Sequence, residues 1–104
     1  METMSKYNVL LLGSGGRECA IAWKLSQSTL LGKLYIAPGN AGTSEYGTNL
    51  ALSPMDFDAV AQATLDKGIN MLVVGNEDPL VAGIADYFAG REDLASVLVV
   101  GPSR

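Results

Sequence analysis

A glycine-rich turn follows an apolar run near the start of the sequence. Residues 13–17 read Gly-Ser-Gly-Gly-Arg, after the apolar residues 9–12 and before a helix-forming segment. Glycines let a backbone approach a ligand closely, and the unpaired N–H groups in the first turn of a helix favour an anion. Arg17 adds a fixed positive charge that suits a phosphate group. These residues predict a phosphate-binding turn at Gly13, Gly15, Gly16 and Arg17.

The elements that would position this turn alternate along the chain. Apolar runs predict strands at about 7–12, 33–37, 71–74 and 97–100. Helices are expected at about 17–28, after the capping residue Ser53 with Pro54 in the first turn, and after Asp78 with Pro79. Trp23 is expected in the core. Such alternation with short loops is typical of an α/β fold with a parallel sheet and right-handed crossovers, so we predict one Rossmann-like domain of about four strands and three helices.

Every predicted strand ends in a loop that contains glycine, and ligands of such sheets bind beyond the carboxyl ends of the strands. The second loop contains Pro38, Gly39 and Asn40, which either form only a turn or present an amide side chain to a sugar phosphate. In the third loop Asp78 is the expected helix cap, which leaves Glu77 as the candidate for ribose hydroxyls or an amine. We predict one site where these loops meet.

The composition excludes several classes of site. The chain has 104 residues, a net charge of −4 and no cluster of Lys or Arg, which argues against a nucleic-acid partner. One Cys and no His exclude an internal disulfide, a Cys-based zinc site and an imidazole base. The apolar runs are shorter than the ~20 residues that cross a bilayer. We therefore expect a cytoplasmic protein without membrane contact.

A dinucleotide-binding module of an oxidoreductase is the main alternative. The spacing of Gly13 and Gly15 fits the start of G-x-G-x-x-G, but the third position is Glu18. An acid that binds ribose should end the second strand, where Pro38 stands instead. The glycines could also serve only the tight turn, and Arg17 could be a solvated surface residue. A receiver-like regulatory domain ranks last, because it needs an acidic cluster after the first strand.

The sequence resembles the N-terminal part of phosphoribosylamine–glycine ligases, also called glycinamide ribonucleotide synthetases. Residues 9–18 carry the resemblance, together with residues 22–25, 34–43 and 73–84 in the same order. It covers nearly all of the chain, and several motifs make it specific. Two positions depart from the family's pattern: Cys19 stands where the family usually has His, and Asn76 stands where Pro is common.

The resemblance implies a function and a domain organisation. Residues 1–104 would be a single N-terminal, Rossmann-like (pre-ATP-grasp) domain, and the family's ATP-grasp and C-terminal domains would be absent. The family joins 5-phosphoribosylamine to glycine with ATP and Mg²⁺ or Mn²⁺ in de novo purine biosynthesis. ATP, the metal and the catalytic residues would then lie outside this chain, which would contain neither a catalytic residue nor a metal ligand and would be inactive alone. Its partners would be 5-phosphoribosylamine, with the phosphate on Gly15, Gly16 and Arg17, and the ATP-grasp domain of the same polypeptide.

Overall fold

A single parallel sheet organises the chain. The computed structural model describes residues 7–13, 15–29, 31–75 and 82–101. In this part of the chain five strands lie in the order β3-β2-β1-β4-β5. They are β1 (Tyr7–Gly13), β2 (Leu31–Pro38), β3 (Thr48–Asn49), β4 (Met71–Val74) and β5 (Leu98–Val100). The α/β, Rossmann-like prediction is confirmed.

Helices cover the sheet from two sides. The described residues form α1 (Gly16–Ser26), α2 (Phe57–Asp66) and α3 (Ile84–Ala89), with a short 3-10 helix at Thr43–Glu45. Leu10 and Leu12 of β1 face α2 and α3, whereas Val9 and Leu11 face α1. These four side chains are at most 1% exposed. A central parallel strand is buried on both faces, which is why it has a continuous apolar run.

Three expectations about the elements need correction. The sheet has five strands rather than four, because the two exposed residues of β3 form a strand only by pairing with Tyr35 and Ile36. The N-cap of α2 is Asp56, which accepts a hydrogen bond from the amide of Ala59 at 3.2 Å, and not Ser53. The Ser53 hydroxyl instead accepts from the amide of Met55 at 3.2 Å, within the preceding turn.

The third correction concerns Trp23, which is 50% exposed although we expected it in the core. Ala22 is the residue of this turn of α1 that faces the sheet, and the next position points about 100° away around the helix. The expected cap of the third helix, Asp78 with Pro79, lies outside the described residues. No helix in the described ranges is long and apolar enough to cross a membrane.

Candidate functional site

The candidate site lies at the carboxyl edge of the sheet, around the end of β1. Its neighbours are β2 on one side and β4 on the other, so the strand order reverses between β1 and β4. The amide of Gly39 donates to the carbonyl of Gly13 at 3.0 Å, and the amide of Gly75 donates to the carbonyl of Leu12 at 2.9 Å. Ligands of open α/β sheets bind at such a reversal. The structure thus brings together the predicted residues 13, 15–17 and 38–40.

The first turn of α1 faces this edge. Its N-cap is Gly15, which has no side-chain oxygen to accept from the amides of the first turn. The amide of Gly15 itself donates to the carboxylate of Glu18 at 2.8 Å. The two amides of the first turn that come next, those of Gly16 and Arg17, can therefore donate to an anion, which also interacts favourably with the helix dipole.

Glu18 explains two of the glycines, and sequence reasoning missed it as a structural part of the site. Its side chain is 5% exposed and lies between Gly13 and Gly75. A Cβ at either glycine would collide with the Glu18 side chain, and a Cβ at Gly75 would also lie 2.8 Å from the carbonyl oxygen of Leu12. At these two positions the space left by the missing side chain is filled by Glu18 and not by a ligand.

Gly16 differs from those two glycines. A Cβ at this position would have no atom within 4 Å, so the backbone faces open space. At Gly15 a Cβ would lie 3.1 Å from Oε1 of Glu18. Of these glycines, Gly16 is the one whose missing side chain leaves open space.

Arg17 lies beside this surface and is exposed. Its Nη1 atom donates to the carbonyl of Gly75 at 3.5 Å, across the gap between β1 and β4. A hydrogen bond of this length is weak, so the guanidinium can turn towards an anion with little loss. Its position next to the open backbone of Gly16 suits a phosphate group.

The loop after β2 is held by its own side chains. Gly39 has φ of +76°, a conformation that favours glycine. The side-chain oxygen of Asn40 accepts from the amide of Thr43 at 2.9 Å, and its Nδ2 donates to the carbonyl of Gly15 at 3.3 Å. The predicted ligand residue Asn40 thus fixes the loop and joins it to α1. Pro38 lies at the end of β2 beside Gly13, after a cis peptide bond.

Two further residues that hold this loop, Thr43 within it and Asn49 in β3, were not anticipated. Thr43 is fully buried, and its hydroxyl accepts from the amide of Asn40 at 2.8 Å. The hydroxyl proton faces two acceptors, the carbonyl oxygen of Asn40 at 2.9 Å and Oδ1 of Asn49 at 2.8 Å. The Nδ2 of Asn49 donates to the same carbonyl at 2.8 Å. A threonine and an asparagine in a polar loop give no sequence signal of such a network.

The remaining predicted residue, Glu77, lies outside the described residues. Cys19 is half-buried, close to Gly42. The described residues contain no group of three His, Cys, Asp or Glu side chains that could hold a metal ion. We assign no step through a metal to these residues.

An apolar cavity of 170 Å³ lies far from these loops. It is lined by residues at the start of the strands and the end of α1: Tyr7, Val9, Leu25, Ser28, Leu31 and Met71. Its position at the amino edge of the sheet separates it from the candidate site.

The chain is similar to known proteins over almost its full length. The family described as "Phosphoribosylglycinamide synthetase, N domain" matches residues 7–104. A phosphoribosylamine–glycine ligase of Rhodopirellula baltica is 48% identical over 97% of this chain and 22% of its own length. The ligase of Mesorhizobium japonicum is 50% identical over 93% of this chain and 22% of its own length.

The chain is also similar to part of a longer protein. The trifunctional purine biosynthetic protein adenosine-3 of Gallus gallus is 51% identical over 91% of this chain, which is 9% of that protein. The chain thus spans about a fifth of the length of the two bacterial ligases.

Proposed function

Because the chain belongs to the phosphoribosylglycinamide synthetase N-domain family, we propose that it acts as the substrate-side domain of a cytoplasmic phosphoribosylamine–glycine ligase. In that reaction ATP activates the carboxylate of glycine as an acyl phosphate. The amine of 5-phosphoribosylamine attacks the acyl carbon, and glycinamide ribonucleotide, ADP and phosphate are released. ATP and Mg²⁺ or Mn²⁺ would bind in the part of the relatives that this chain does not match, an ATP-grasp domain that is also its partner.

The first turn of α1 is the observation that carries the proposal. The amides of Gly16 and Arg17 face the carboxyl edge of the sheet without a side-chain cap from the described residues, and the Arg17 guanidinium lies beside them. The phosphate of 5-phosphoribosylamine would accept hydrogen bonds from these groups. The N–H of Gly15 donates to Glu18 and not to the phosphate. Gly15 therefore contributes to the site through its backbone conformation.

The ribose would lie towards the loop after β2. Asn40 joins this loop to Gly15, so Pro38 and Gly39 lie next to the proposed phosphate position. A ribose attached to a phosphate on Gly16 would reach this loop. Glu77 follows β4 in the sequence, and for this reason we propose it as a ligand for the ribose hydroxyls or the amine.

A dinucleotide fits these residues less well. The third glycine of a dinucleotide fingerprint allows a helix to pack closely on the first strand, whereas here Glu18 occupies that position and is buried. The strand β2 ends at Pro38 and provides no carboxylate for a ribose hydroxyl. Both features support a sugar monophosphate rather than the pyrophosphate of a cofactor.

Binding of ribose 5-phosphate tests the proposal directly. We expect saturable binding to the 104-residue chain, measured by calorimetry or by amide shifts in NMR spectra. Arg17→Ala should weaken it about ten-fold or more, because a charge-assisted hydrogen bond is lost. Lys24→Ala is the matched control, since Lys24 lies in the last turn of the same helix.

Two outcomes would contradict the assignment. If the Arg17→Ala variant and the unchanged chain bind ribose 5-phosphate with equal affinity, Arg17 does not bind the phosphate. An increase of NADH fluorescence on mixing with the chain would favour the dinucleotide alternative, for which we expect no signal. We also expect no ADP release from ATP, glycine and 5-phosphoribosylamine with the 104-residue chain alone.

A further inference from the structure

Glu18 is a buried acid in the candidate site that does not itself contact the proposed phosphate. It is 5% exposed and sits in the first turn of α1, one residue after Arg17. We propose that Glu18 is a positioning residue, whose side chain holds the first turn of α1 against Gly13 and Gly75, at the ends of β1 and β4, in the arrangement that receives the substrate phosphate. This inference rests on the proposed function, since it concerns the same site.

The hydrogen bond to Gly15 is the first observation. Oε1 of Glu18 accepts from the Gly15 amide at 2.8 Å, a length typical of a well-formed hydrogen bond. Gly15 has an extended backbone, and the helix begins directly after it. Glycine has the widest range of backbone conformations of any residue, so a residue that restrains Gly15 also fixes the direction of the Gly16 and Arg17 amides. The Glu18 side chain provides that restraint.

The packing of two strand ends around one side chain is the second observation. Gly13 ends β1 and Gly75 follows β4, and a Cβ at either position would collide with Glu18. The gap between these strand ends is the point at which the strand order reverses. The Glu18 side chain therefore packs against both strand ends, which the hydrogen bond from the Gly75 amide to the Leu12 carbonyl also joins.

Arg17 connects this packing to the phosphate. Its guanidinium donates to the carbonyl of Gly75, the residue whose missing side chain makes room for Glu18. Residues 17 and 18 of one helical turn thus contact the same residue of the loop after β4. A displaced Glu18 would change the position of Gly75 and of the carbonyl oxygen that Arg17 contacts.

The role that we propose depends on shape and hydrogen bonding and not on negative charge. A phosphate on the first turn of α1 is itself an anion, and a second negative charge close to it does not favour binding. Glutamine has the length of glutamate and keeps a side-chain oxygen that can accept from the Gly15 amide. The two residues should therefore position the turn equally well, and this separates positioning from an electrostatic role.

Titration of the 104-residue chain with ribose 5-phosphate tests the inference, at a temperature where circular dichroism shows each variant to be folded. Glu18→Gln should bind within about three-fold of the unchanged chain, because the hydrogen bond is kept. Glu18→Met fills a similar volume but has no comparable acceptor, so its affinity should fall about ten-fold. Glu18→Ala loses both the packing and the hydrogen bond and should bind at least as weakly as Glu18→Met.

A second readout follows the Gly15 amide in NMR spectra. Its chemical shift should move in Glu18→Met and stay near its original value in Glu18→Gln. A residue that contributed only to stability would leave the affinity of the folded variants unchanged. If Glu18→Ala does not fold, the affinities of Glu18→Met and Glu18→Gln can still be compared.

The outcomes that overturn the inference are distinct from those that overturn the proposed function. Unchanged affinity in the folded Glu18→Met variant would show that Glu18 does not position the site. Equal losses in Glu18→Gln and Glu18→Met would show that the carboxylate charge matters and not the hydrogen bond. If the unchanged chain does not bind ribose 5-phosphate at all, the proposed function fails and this inference falls with it.

Discussion

The side-chain amide of Asn40 lies 3.3 Å from the carbonyl oxygen of Gly15 and donates a hydrogen bond to it. These residues belong to different loops, because Gly15 precedes α1 and Asn40 follows β2. The oxygen of the same side chain accepts from the amide of Thr43 at 2.9 Å. One asparagine therefore holds its own loop in shape and joins it to the turn that would bind the phosphate.

Replacing Asn40 should affect both stability and binding. Asn40→Ala removes both hydrogen bonds, and we expect the free energy of unfolding to fall by about 1–2 kcal/mol in urea denaturation. Asn40→Asp keeps an oxygen for the Thr43 amide and loses the bond to Gly15, so its stability should fall less. Both variants should bind ribose 5-phosphate more weakly. Unchanged stability of the Ala variant would contradict the proposed connection of the two loops.

Substitution by alanine should change stability differently at two glycines of the carboxyl edge, Gly75 and Gly16. At Gly75 a Cβ would collide with Glu18 and lie 2.8 Å from the Leu12 carbonyl oxygen, so Gly75→Ala should lower the free energy of unfolding by about 2 kcal/mol or more. Gly16 starts α1 in open space. Gly16→Ala should therefore leave stability unchanged or raise it by up to about 1 kcal/mol.

The affinity for ribose 5-phosphate should also distinguish the two substitutions. A Cβ at position 16 would point into the space that we assign to the phosphate, so Gly16→Ala should weaken ribose 5-phosphate binding while the domain stays folded. Thermal unfolding and calorimetric titration of the two variants measure both effects. Equal destabilisation by Gly16→Ala and Gly75→Ala would show that both glycines serve the fold.

The buried hydroxyl of Thr43 gives a further prediction. Thr43→Val keeps the shape of the side chain and leaves the amide of Asn40 and the side-chain oxygen of Asn49 without their hydroxyl partner. Unfolding free energy should fall by about 1–3 kcal/mol, the typical effect of an unpaired buried polar group. Thr43→Ser keeps the hydroxyl and is the control, with a smaller loss from the missing methyl group. A Val variant as stable as the original chain would contradict the role of the network.

Sequence predicted the parts of the fold that depend on continuous apolar runs. The bounds of β4 match residues 71–74, and β1 extends one residue beyond the predicted end. β3 was missed because its pairing with β2, and not its own composition, makes it a strand. Ser53 with Pro54 resembles a helix start, yet Asp56 caps α2, because its carboxylate lies three residues before an amide of the first turn.

The candidate site, like the fold, was predicted from the sequence only in part. The convergence of the loops after β1 and β2 follows from a parallel sheet, which alternating strands and helices predict. The role of Glu18 does not follow from it. Gly13 and Gly75 are far apart in sequence, and only the pairing of β1 with β4 places both against one carboxylate. A glycine that makes room for a side chain has the same sequence signature as a glycine that makes room for a ligand.

The sheet face on the side of α1 is partly apolar and exposed. Leu98 and Val100 of β5 are 50% and 39% exposed, and they pair with Met71 and Val73 of β4 on this face. Among the described helices, α1 packs on this side against β1 and β2, and α2 and α3 pack on the other side. Parallel sheets in folded proteins are covered on both faces, so we expect the 104-residue chain to self-associate through β4 and β5.

Sedimentation at increasing protein concentration tests this expectation. Leu98→Lys should raise the dissociation constant of self-association about ten-fold or more, because a charge would have to be buried in the contact. Leu65→Lys is the matched control, since Leu65 is 42% exposed on α2, at the opposite face of the sheet. A chain that remains monomeric at millimolar concentration, or a Leu65→Lys variant that dissociates as readily as Leu98→Lys, would show that this face is not the contact.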